Sequence, residues 1–198
     1  MLNNEMRVIA GSLGSRPLSA PSGLATRPTT DRLRETLFNI LTQGAVDRVS
    51  GAAFLDLYAG SGAVGIEAAS RGAAQVTFVE QGQAALAVLG KNLASLGLRR
   101  GVTVEKRAVG SFLRRAVEAQ AGVRYGVVFL DPPYDAEAEY TQTLGLLGGD
   151  GARLLAEGAL VIAEHRKKDA PAEEFGALKR VRLLTQGDAG VSFYQVEE

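Results

Sequence analysis

The sequence predicts an α/β fold in which helices cover both faces of a seven-stranded, mostly parallel sheet that ends in an antiparallel hairpin strand. Five apolar segments recur between residues 52 and 164, separated by stretches of helical periodicity. These segments are too apolar to keep one face in water, which indicates strands that are buried on both sides. They are AAFLDLY (52–58), QVTFVE (75–80), VTVE (102–105), YGVVFL (125–130) and ALVIAE (159–164).

Further elements are predicted at the two ends of the chain. The segments LKRVRLL (178–184) and GVSFYQV (190–196) favour a closing hairpin, and residues 166–176 are expected to form a solvated loop. Residues 1–25 are punctuated by Gly and Pro and predict a small N-terminal β-hairpin arm outside the main core. The remainder, residues 26–198, would then be the main domain. Its first helix should follow a cap at Thr29 or Thr30.

Composition narrows the class of protein. A chain of 198 residues, of which 46% are hydrophobic, can bury one core of ordinary size. The absence of cysteine excludes a disulfide framework and a thiolate nucleophile, and it fits a reducing compartment. No apolar run approaches the roughly 20 residues of a membrane span. We therefore expect a cytoplasmic protein. Its net charge is zero, but the N-terminal region is rich in arginine, at positions 7, 16, 27, 32 and 34.

A glycine-rich segment follows the first strand of the predicted sheet. Gly60, Gly62 and Gly65 form a GxGxxG array that leaves the strand and opens a helix. Glu80 ends the next strand, twenty residues beyond Gly60, where a carboxylate can accept hydrogen bonds from both hydroxyls of a ribose. The arrangement predicts a site for a nucleotide-like ligand.

Asp56 bears on which ligand this turn would bind. An acid that points into the turn would repel the pyrophosphate of a dinucleotide. The same acid would attract a ligand that carries a sulfonium and an ammonium group, which favours S-adenosylmethionine. The alternative is that Asp56 caps the turn that follows the strand.

The sequence LDPPY at the end of the fourth strand supplies groups suited to an exocyclic amine. In a doubly wound sheet this strand lies beside the first, so Asp131 should lie near the glycine-rich turn. The carboxylate of Asp131 and the carbonyl of Pro132 are both hydrogen-bond acceptors, and together they can hold the two N–H groups of an amine. The ring of Tyr134 can stack on a nucleobase. The alternative is an Asp-Pro-Pro turn that only ends the strand.

These residues carry a resemblance to a known family. LDLYAGSG together with LDPPY resembles the S-adenosylmethionine-dependent amino-methyltransferases, which have a Rossmann-like class I methyltransferase fold. MRVIAGSLGSRPL, GLATRPTTDRLRETLFNIL and the late QGDAGVSFY are similar to the bacterial 16S ribosomal RNA (guanine N2) methyltransferases. The resemblance implies methylation of one guanine, in small-subunit ribosomal RNA or in an assembling subunit, by a protein without a metal that we expect to be a monomer.

The resemblance also implies roles for individual residues. The guanine amine would be held by Asp131, Pro132, Pro133 and Tyr134. The cofactor would be held by Asp56, Tyr58, Gly60, Ser61, Gly62, Gly65 and Glu80. Related enzymes often place an acid or amide after the third strand, where this chain has Ala108, so backbone groups of Ala108 or Val109 are expected to contact the adenine instead. The RNA would be contacted by Arg7, Arg16, Arg27 and Arg34.

Other functions remain open at this point. The same chemistry could act on the N6 amine of adenine in DNA or RNA, or on a glutamine amide. The chain has no inserted segment large enough to be a separate DNA-reading domain, which favours a folded RNA recognised by shape. From other classes, a nicotinamide dehydrogenase and a non-catalytic RNA-binding assembly factor are the alternatives.

Overall fold

The computed structural model describes residues 6–20, 30–44, 46–119, 122–133 and 137–197. Helices and strands alternate along most of this part of the chain. The helices are α1 (Asp31–Thr42), α2 (Ala63–Ser70), α3 (Gln83–Leu96), α4 (Val109–Glu118), α5 (Glu137–Gly148) and a 3-10 helix (Asp150–Leu154). The strands are β1 (Ala53–Leu57), β2 (Gln75–Glu80), β3 (Val102–Lys106), β4 (Tyr125–Leu130), β5 (Leu155–Arg166), β6 (Glu174–Phe175), β7 (Leu178–Gln186) and β8 (Ala189–Val196).

All the described strands belong to one sheet, in the order β3-β2-β1-β4-β5-β8-β7-β6. The first five strands along the chain pair in parallel, and β8, β7 and β6 continue the sheet as antiparallel strands. The α/β architecture and the antiparallel C-terminal hairpin are therefore confirmed. The predicted number of strands is wrong, because the described sheet has eight strands rather than seven.

The additional strand is β6, at the edge of the sheet. It lies in the segment that the sequence predicts to be a solvated loop. Glu174 pairs with Lys179 and Phe175 pairs with Leu178, across a tight turn. The ring of Phe175 packs edge-on against Tyr194, with the ring centroids 5.9 Å apart. This aromatic contact explains why a short polar stretch adds to the sheet.

Two apolar clusters cover the two faces of the sheet. On one face, α1, α2 and α3 pack on alternate strand residues such as Phe54 and Phe129. On the other face, α4, α5 and the 3-10 helix pack on the intervening residues, such as Leu55 and Val128. The central strands are buried on both sides, as their mostly apolar sequences predict. No helix within the described segments has both the length and the apolar character needed to cross a bilayer.

The described part of the N-terminal arm, residues 6–20, folds back on itself and packs against the main core. Arg7 and Pro17 form an antiparallel bridge, and Leu18 donates a 2.8 Å hydrogen bond to the carbonyl of Met6. Met6, Val8 and Leu18 are buried in the same apolar cluster as α1, α2 and α3. The expectation that the arm lies outside the main core is therefore wrong for these residues.

Glu67 of α2 anchors the arm. Its carboxylate accepts hydrogen bonds from the amides of Ile9, at 2.7 Å, and Ala10, at 3.0 Å. The same carboxylate forms a 2.7 Å ion pair with Arg71. A buried charge needs such partners, and here two of them are backbone amides of the arm. The arm is thereby fixed to the helix that follows the glycine-rich turn.

Candidate active site

The ends of β1 and β4 lie side by side at the centre of the sheet. Leu57 pairs with Leu130, so the chain leaves the two strands at neighbouring positions. Strand order reverses between β1 and β4, and ligands of doubly wound sheets bind outside the carboxyl ends of the strands at such a point. The predicted proximity of the two strand ends is confirmed by this pairing.

The glycine-rich turn has backbone geometry that requires glycine. Gly60 and Gly62 have φ values of 56° and 80°, in the left-handed region where a side chain is strained. A Cβ at Gly62 would also lie 2.3 Å from a methyl carbon of Leu89 on α3. The amide of Gly62 donates a 2.7 Å hydrogen bond to the carbonyl of Ala59 and closes the turn. The turn is therefore tight and is packed closely against α3.

Glu80 joins this turn to the end of β2. One carboxylate oxygen accepts a 2.9 Å hydrogen bond from the amide of Gly60. The other oxygen accepts from the amides of Gln81, at 2.8 Å, and Gly82, at 2.7 Å. A carboxylate has about four lone-pair sites, so acceptor capacity remains for a ligand hydroxyl. The structure thus shows a role of Glu80 in shaping the turn, and the ribose contact stays a prediction.

Asp56 lies within β1 and is 2% exposed. Its carboxylate accepts a 2.9 Å hydrogen bond from the amide of Gly65, in the first turn of α2. Burial, and then the negative charge of Glu80, raise the pKa of Asp56 to about 8, although the Gly65 hydrogen bond opposes this shift. The contact with Gly65 caps the start of α2, whereas the alternative predicted for Asp56 is capping of the turn that follows the strand. Its contact with a cationic ligand stays a prediction.

Three carboxyl groups converge at the ends of neighbouring strands. Asp131 follows β4 and is half-buried, and Glu164 lies near the end of the adjacent β5. Burial, together with the charges of Glu164 and Asp56, raises the pKa of Asp131 well above its ordinary value. A nearby positive charge would favour the ionised forms of these carboxyls, so the cluster suits a ligand that brings positive charge. Within the described residues, no cluster of three or more His, Cys, Asp or Glu side chains is arranged so that it could hold a metal ion.

The remaining predicted substrate residues are only partly described. Pro132 is buried, and Pro133 is exposed. Tyr134 lies outside the described residues, so its stacking on a base stays a prediction.

Tyr58 and Ser61 direct their side chains toward neighbouring elements. Tyr58, which has a positive φ of 59°, forms 2.7 Å hydrogen bonds from its hydroxyl with Glu139 and Thr143 of α5. The hydroxyl of Ser61 donates to the sulfur of Met6 in the arm, over 3.9 Å. These contacts hold the turn between α5 and the arm, and any contact of either residue with the cofactor stays a prediction.

Ala108 and Val109 begin helix α4, directly after β3. Ala108 has no side-chain capping bond, and the first amides of a helix have no intrahelical acceptor. Val109 is buried. Backbone donors are therefore available at the end of β3, and the contact of Ala108 or Val109 with the adenine stays a prediction.

The four arginines predicted to contact RNA differ in their exposure to solvent. Arg7 is 62% exposed in its side chain, and Arg16 is also exposed. Arg27 lies outside the described residues. Arg34 is 0% exposed, donates to the Arg7 carbonyl and forms a 2.9 Å ion pair with Asp31. The prediction that Arg34 contacts RNA is therefore wrong for this structure, because its guanidinium is enclosed between α1 and the arm.

Two polar residues near the site were missed by the sequence analysis. Glu164 follows the apolar run of β5 just as Asp131 follows β4, and this parallel could have revealed it. Asn92 is 1% exposed on α3, and it occupies the apolar side of that helix between Leu89 and Leu96. A polar residue on an apolar helix face is the signal that identifies it.

The residues of the crevice suit S-adenosylmethionine. The turn presents backbone at Gly60 and Gly62, and the surrounding carboxyl groups favour the sulfonium and ammonium charges of this ligand over a pyrophosphate. The sheet order, the glycine turn and the carboxyl-lined crevice define an α/β protein of the methyltransferase fold. A solved structure titled "Putative methyltransferase yhhF from Escherichia coli" has this fold, with a TM-score of 0.80, 35% identity and 98% of each chain covered.

Comparison of sequences assigns the family. The family model described as "Conserved hypothetical protein 95" matches residues 6–195, and the chain belongs to this family. The Bacillus subtilis (strain 168) protein named "Putative rRNA methyltransferase YlbH" is 37% identical over 96% of this chain and 98% of its own length. "Ribosomal RNA small subunit methyltransferase D" of Escherichia coli (strain K12) is 41% identical over 82% of this chain and 75% of its own length.

Proposed function

We propose that this protein transfers a methyl group from S-adenosylmethionine to the exocyclic N2 amine of a guanine in small-subunit (16S) ribosomal RNA. The observation that carries the proposal is the position of Asp131 and Pro132, at the end of the strand that neighbours the glycine turn. Family membership supports the chemistry, since similar proteins are named as methyltransferases of ribosomal RNA.

The cofactor would lie across the carboxyl ends of β1 and β2. Gly60 and Gly62 let the backbone approach it closely, and Glu80 offers its remaining lone pairs to the ribose hydroxyls. Backbone donors at Ala108 and Val109, at the start of α4, would contact the adenine. When bound, S-adenosylmethionine supplies a methyl group on a positively charged sulfur, and transfer leaves a neutral thioether.

Asp131 and Pro132 would grip the guanine amine. The lone pair of this amine is delocalised into the ring, so the nitrogen must be held by acceptors and turned out of conjugation before it can attack. The Asp131 carboxylate accepts one amine hydrogen, and the Pro132 carbonyl accepts the other. Orientation of this kind can contribute up to about 7–11 kcal/mol of barrier reduction. Asp131 would accept the surplus proton of the methylated amine, and its raised pKa suits proton acceptance.

The arm would contact the RNA. Arg7 and Arg16 are exposed on the described part of the arm, where guanidinium groups can meet phosphates. A folded RNA recognised through its shape needs no separate base-reading domain, and the target guanine would be turned out of its stack into the crevice. Tyr134 would stack on that base. A ribosomal substrate places the protein in the cytoplasm.

Nucleoside mapping tests the proposal directly. We expect 16S ribosomal RNA from a strain that lacks this gene to lose one N2-methylguanine, identified by mass spectrometry. Purified protein with S-adenosylmethionine should restore that modification on small subunits from the same strain, and parallel reactions on naked RNA distinguish the two substrate forms. Methylation of adenine N6, or of DNA or a glutamine amide, would instead identify one of the alternative substrates.

Asp131 variants test the assigned chemistry. Asp131→Ala removes an acceptor, and Asp131→Asn replaces one oxygen by an NH2 donor that opposes the amine of the guanine. We expect both to bind S-adenosylhomocysteine within about two-fold of the wild type while transfer falls by about 10²-fold or more, as misplaced reacting groups commonly produce. Turnover equal to the wild type would refute the role given to Asp131.

A further inference from the structure

The N-terminal arm touches the glycine-rich turn through buried contacts. Met6, at the start of the described arm, receives the Ser61 hydroxyl on its sulfur. Ser19, near the other end of the arm, reaches the same turn through a side chain of α3. Leu18 and Met6 are joined by a backbone hydrogen bond, so both ends of the arm are held as one unit against the turn.

Asn92 is the α3 side chain that makes the second connection. Its Oδ1 accepts a 2.8 Å hydrogen bond from the amide of Ser19. Its Nδ2 donates to the carbonyl of Ser19, at 3.0 Å, and to the carbonyl of Ser61, at 2.9 Å. Both donors of one buried amide are thereby used, one on the arm and one on the turn. A single side chain thus links the arm, α3 and the peptide between Gly60 and Gly62.

The orientation of the Ser61 carbonyl matters for the turn. Ser61 lies between Gly60 and Gly62, both of which have a positive φ. Because glycine has no Cβ, the peptides on either side of Ser61 rotate more freely than peptides between other residues. The hydrogen bond from Asn92 fixes one of these peptides. A shift of the arm would act on the same amide and would change the backbone that faces the cofactor.

The arm also carries two exposed cations, Arg7, which lies 3.8 Å from Asp31 of α1, and Arg16, which donates a 3.3 Å hydrogen bond to the Ser95 carbonyl of α3. Arg7 directly follows Met6, and Arg16 lies three residues before Ser19. A contact with RNA at either arginine therefore lies within a few residues of an attachment to the turn. The anchors at Glu67 and Ser70 hold the arm on α2 instead, through Ile9, Ala10 and Leu13.

We propose that Asn92 is a positioning residue that couples RNA binding by the arm to cofactor binding in the glycine-rich turn, an inference that rests on the proposed function. Each ligand orders a segment that Asn92 holds, so the first to bind prepares the site of the second. Coupling of this kind is reciprocal: RNA must tighten cofactor binding by the same factor by which the cofactor tightens RNA binding.

The coupling factor is the quantity that tests this inference. The affinity for unmodified small ribosomal subunits is measured with and without saturating S-adenosylhomocysteine. For the wild type we expect a tightening of about five-fold or more, the lower end of common allosteric coupling. For Asn92→Ala we expect a factor close to one, together with weaker binding of S-adenosylhomocysteine alone. Asn92→Asp keeps the acceptor for the Ser19 amide but removes both donated bonds, and it should also abolish the coupling.

Ser95→Ala is the matched control. Ser95 lies on the same helix, and its hydroxyl donates a 2.9 Å hydrogen bond to the Asn92 backbone carbonyl. Its backbone carbonyl accepts a hydrogen bond from Arg16 of the arm, and alanine keeps this carbonyl. We expect this variant to keep the wild-type coupling factor. A factor near one in the wild type, or an unchanged factor in Asn92→Ala, would overturn the inference while the proposed function stands. Failure of the wild type to bind S-adenosylhomocysteine would overturn both.

Hydrogen exchange gives a readout that needs no variant. Saturating S-adenosylhomocysteine should slow hydrogen exchange at the amides of Val8, Leu18 and Ser19 in the wild type. None of these amides contacts the cofactor in the proposed arrangement, so the slowing would reflect ordering of the arm. The amides of Val191 and Phe193, in a strand paired on both sides, are the internal reference for any general stabilisation. Equal slowing at the arm and at these amides would contradict the coupling, even if Asn92→Ala did not fold.

Discussion

The amide of Gly65 donates a 2.9 Å hydrogen bond to the carboxylate of Asp56, and this bond joins the first turn of α2 to the strand beneath it. The carboxylate is enclosed, so its charged form has given up its water and gained only one described hydrogen bond in return. Burial raises the pKa of Asp56 to about 8 from an ordinary value of 3.8. This acid of the crevice is thus largely protonated near neutral pH, and a cationic ligand would favour its ionised form.

The raised pKa predicts how stability depends on pH. Between about pH 4 and pH 8 the folded protein keeps a proton on Asp56 that the unfolded chain releases, so stability falls as pH rises through this window and levels off above it. Asp56→Asn imitates the protonated acid and removes this contribution. We expect its unfolding free energy, from urea titrations at pH 5 to 8, to fall less with pH than that of the wild type. Asp150→Asn, at an exposed acid, should behave like the wild type. Parallel curves for Asp56→Asn and the wild type would contradict the prediction.

Gly65 also sets the distance between α2 and β2. A Cβ at this position would lie 2.4 Å from a ring carbon of Phe78 and 2.9 Å from a methyl carbon of Val76. Both side chains are fully buried and have no space into which to move. We expect Gly65→Ala to lower the unfolding free energy by about 1–3 kcal/mol, as overpacked cores do.

Gly90→Ala is the control for that substitution. Gly90 is exposed in the middle of α3, and an added Cβ would meet nothing within 4 Å. Alanine there should stabilise the helix by about 0.5–1 kcal/mol. Equal effects of the two substitutions in urea unfolding would show that Gly65 is not required for packing.

The features that could be predicted from the sequence depend on local patterns. Strands β1 and β4 are recognisable because burial on both faces requires mostly apolar residues, and Asp131 marks the point where the run of β4 ends. Asp131 is therefore placed correctly at a strand end from sequence alone. Gly60 and Gly62 are recognisable because left-handed backbone favours glycine.

The features that were missed depend on contacts between distant parts of the chain. Arg34 looks like a surface cation in the sequence, yet the arm folds over it and its partners include the Arg7 carbonyl. Asn92 looks like one polar residue in a helix, and its role appears only when residue 19 is placed beside it. Strand β6 depends on the pairing of Phe175 with Leu178 and on its contact with Tyr194.

The exposed arginines of the arm predict a salt-dependent interaction with RNA. Arg7→Ala with Arg16→Ala removes two cations, and we expect weaker binding of small subunits at low salt. The slope of log affinity against log salt concentration should become shallower by about one for each phosphate that the variant no longer neutralises. Arg99→Ala with Arg100→Ala removes the same charge from an exposed loop after α3 and is the matched control. If both double variants give the same slope, the arm does not contact the RNA.

The charge of Glu164 near Asp131 predicts how the rate of methyl transfer depends on pH. Asp131 must be ionised to accept the amine hydrogen, and burial together with the charge of Glu164 holds its pKa well above the ordinary value. The rate of a single turnover should therefore rise with pH as Asp131 loses its proton. Glu164→Gln removes the neighbouring charge, which lowers the pKa of Asp131 and should move this rise to lower pH. Glu157→Gln, at an exposed position near the start of β5, should leave the profile unchanged. If the rise stays at the same pH in Glu164→Gln, the group that titrates is not Asp131.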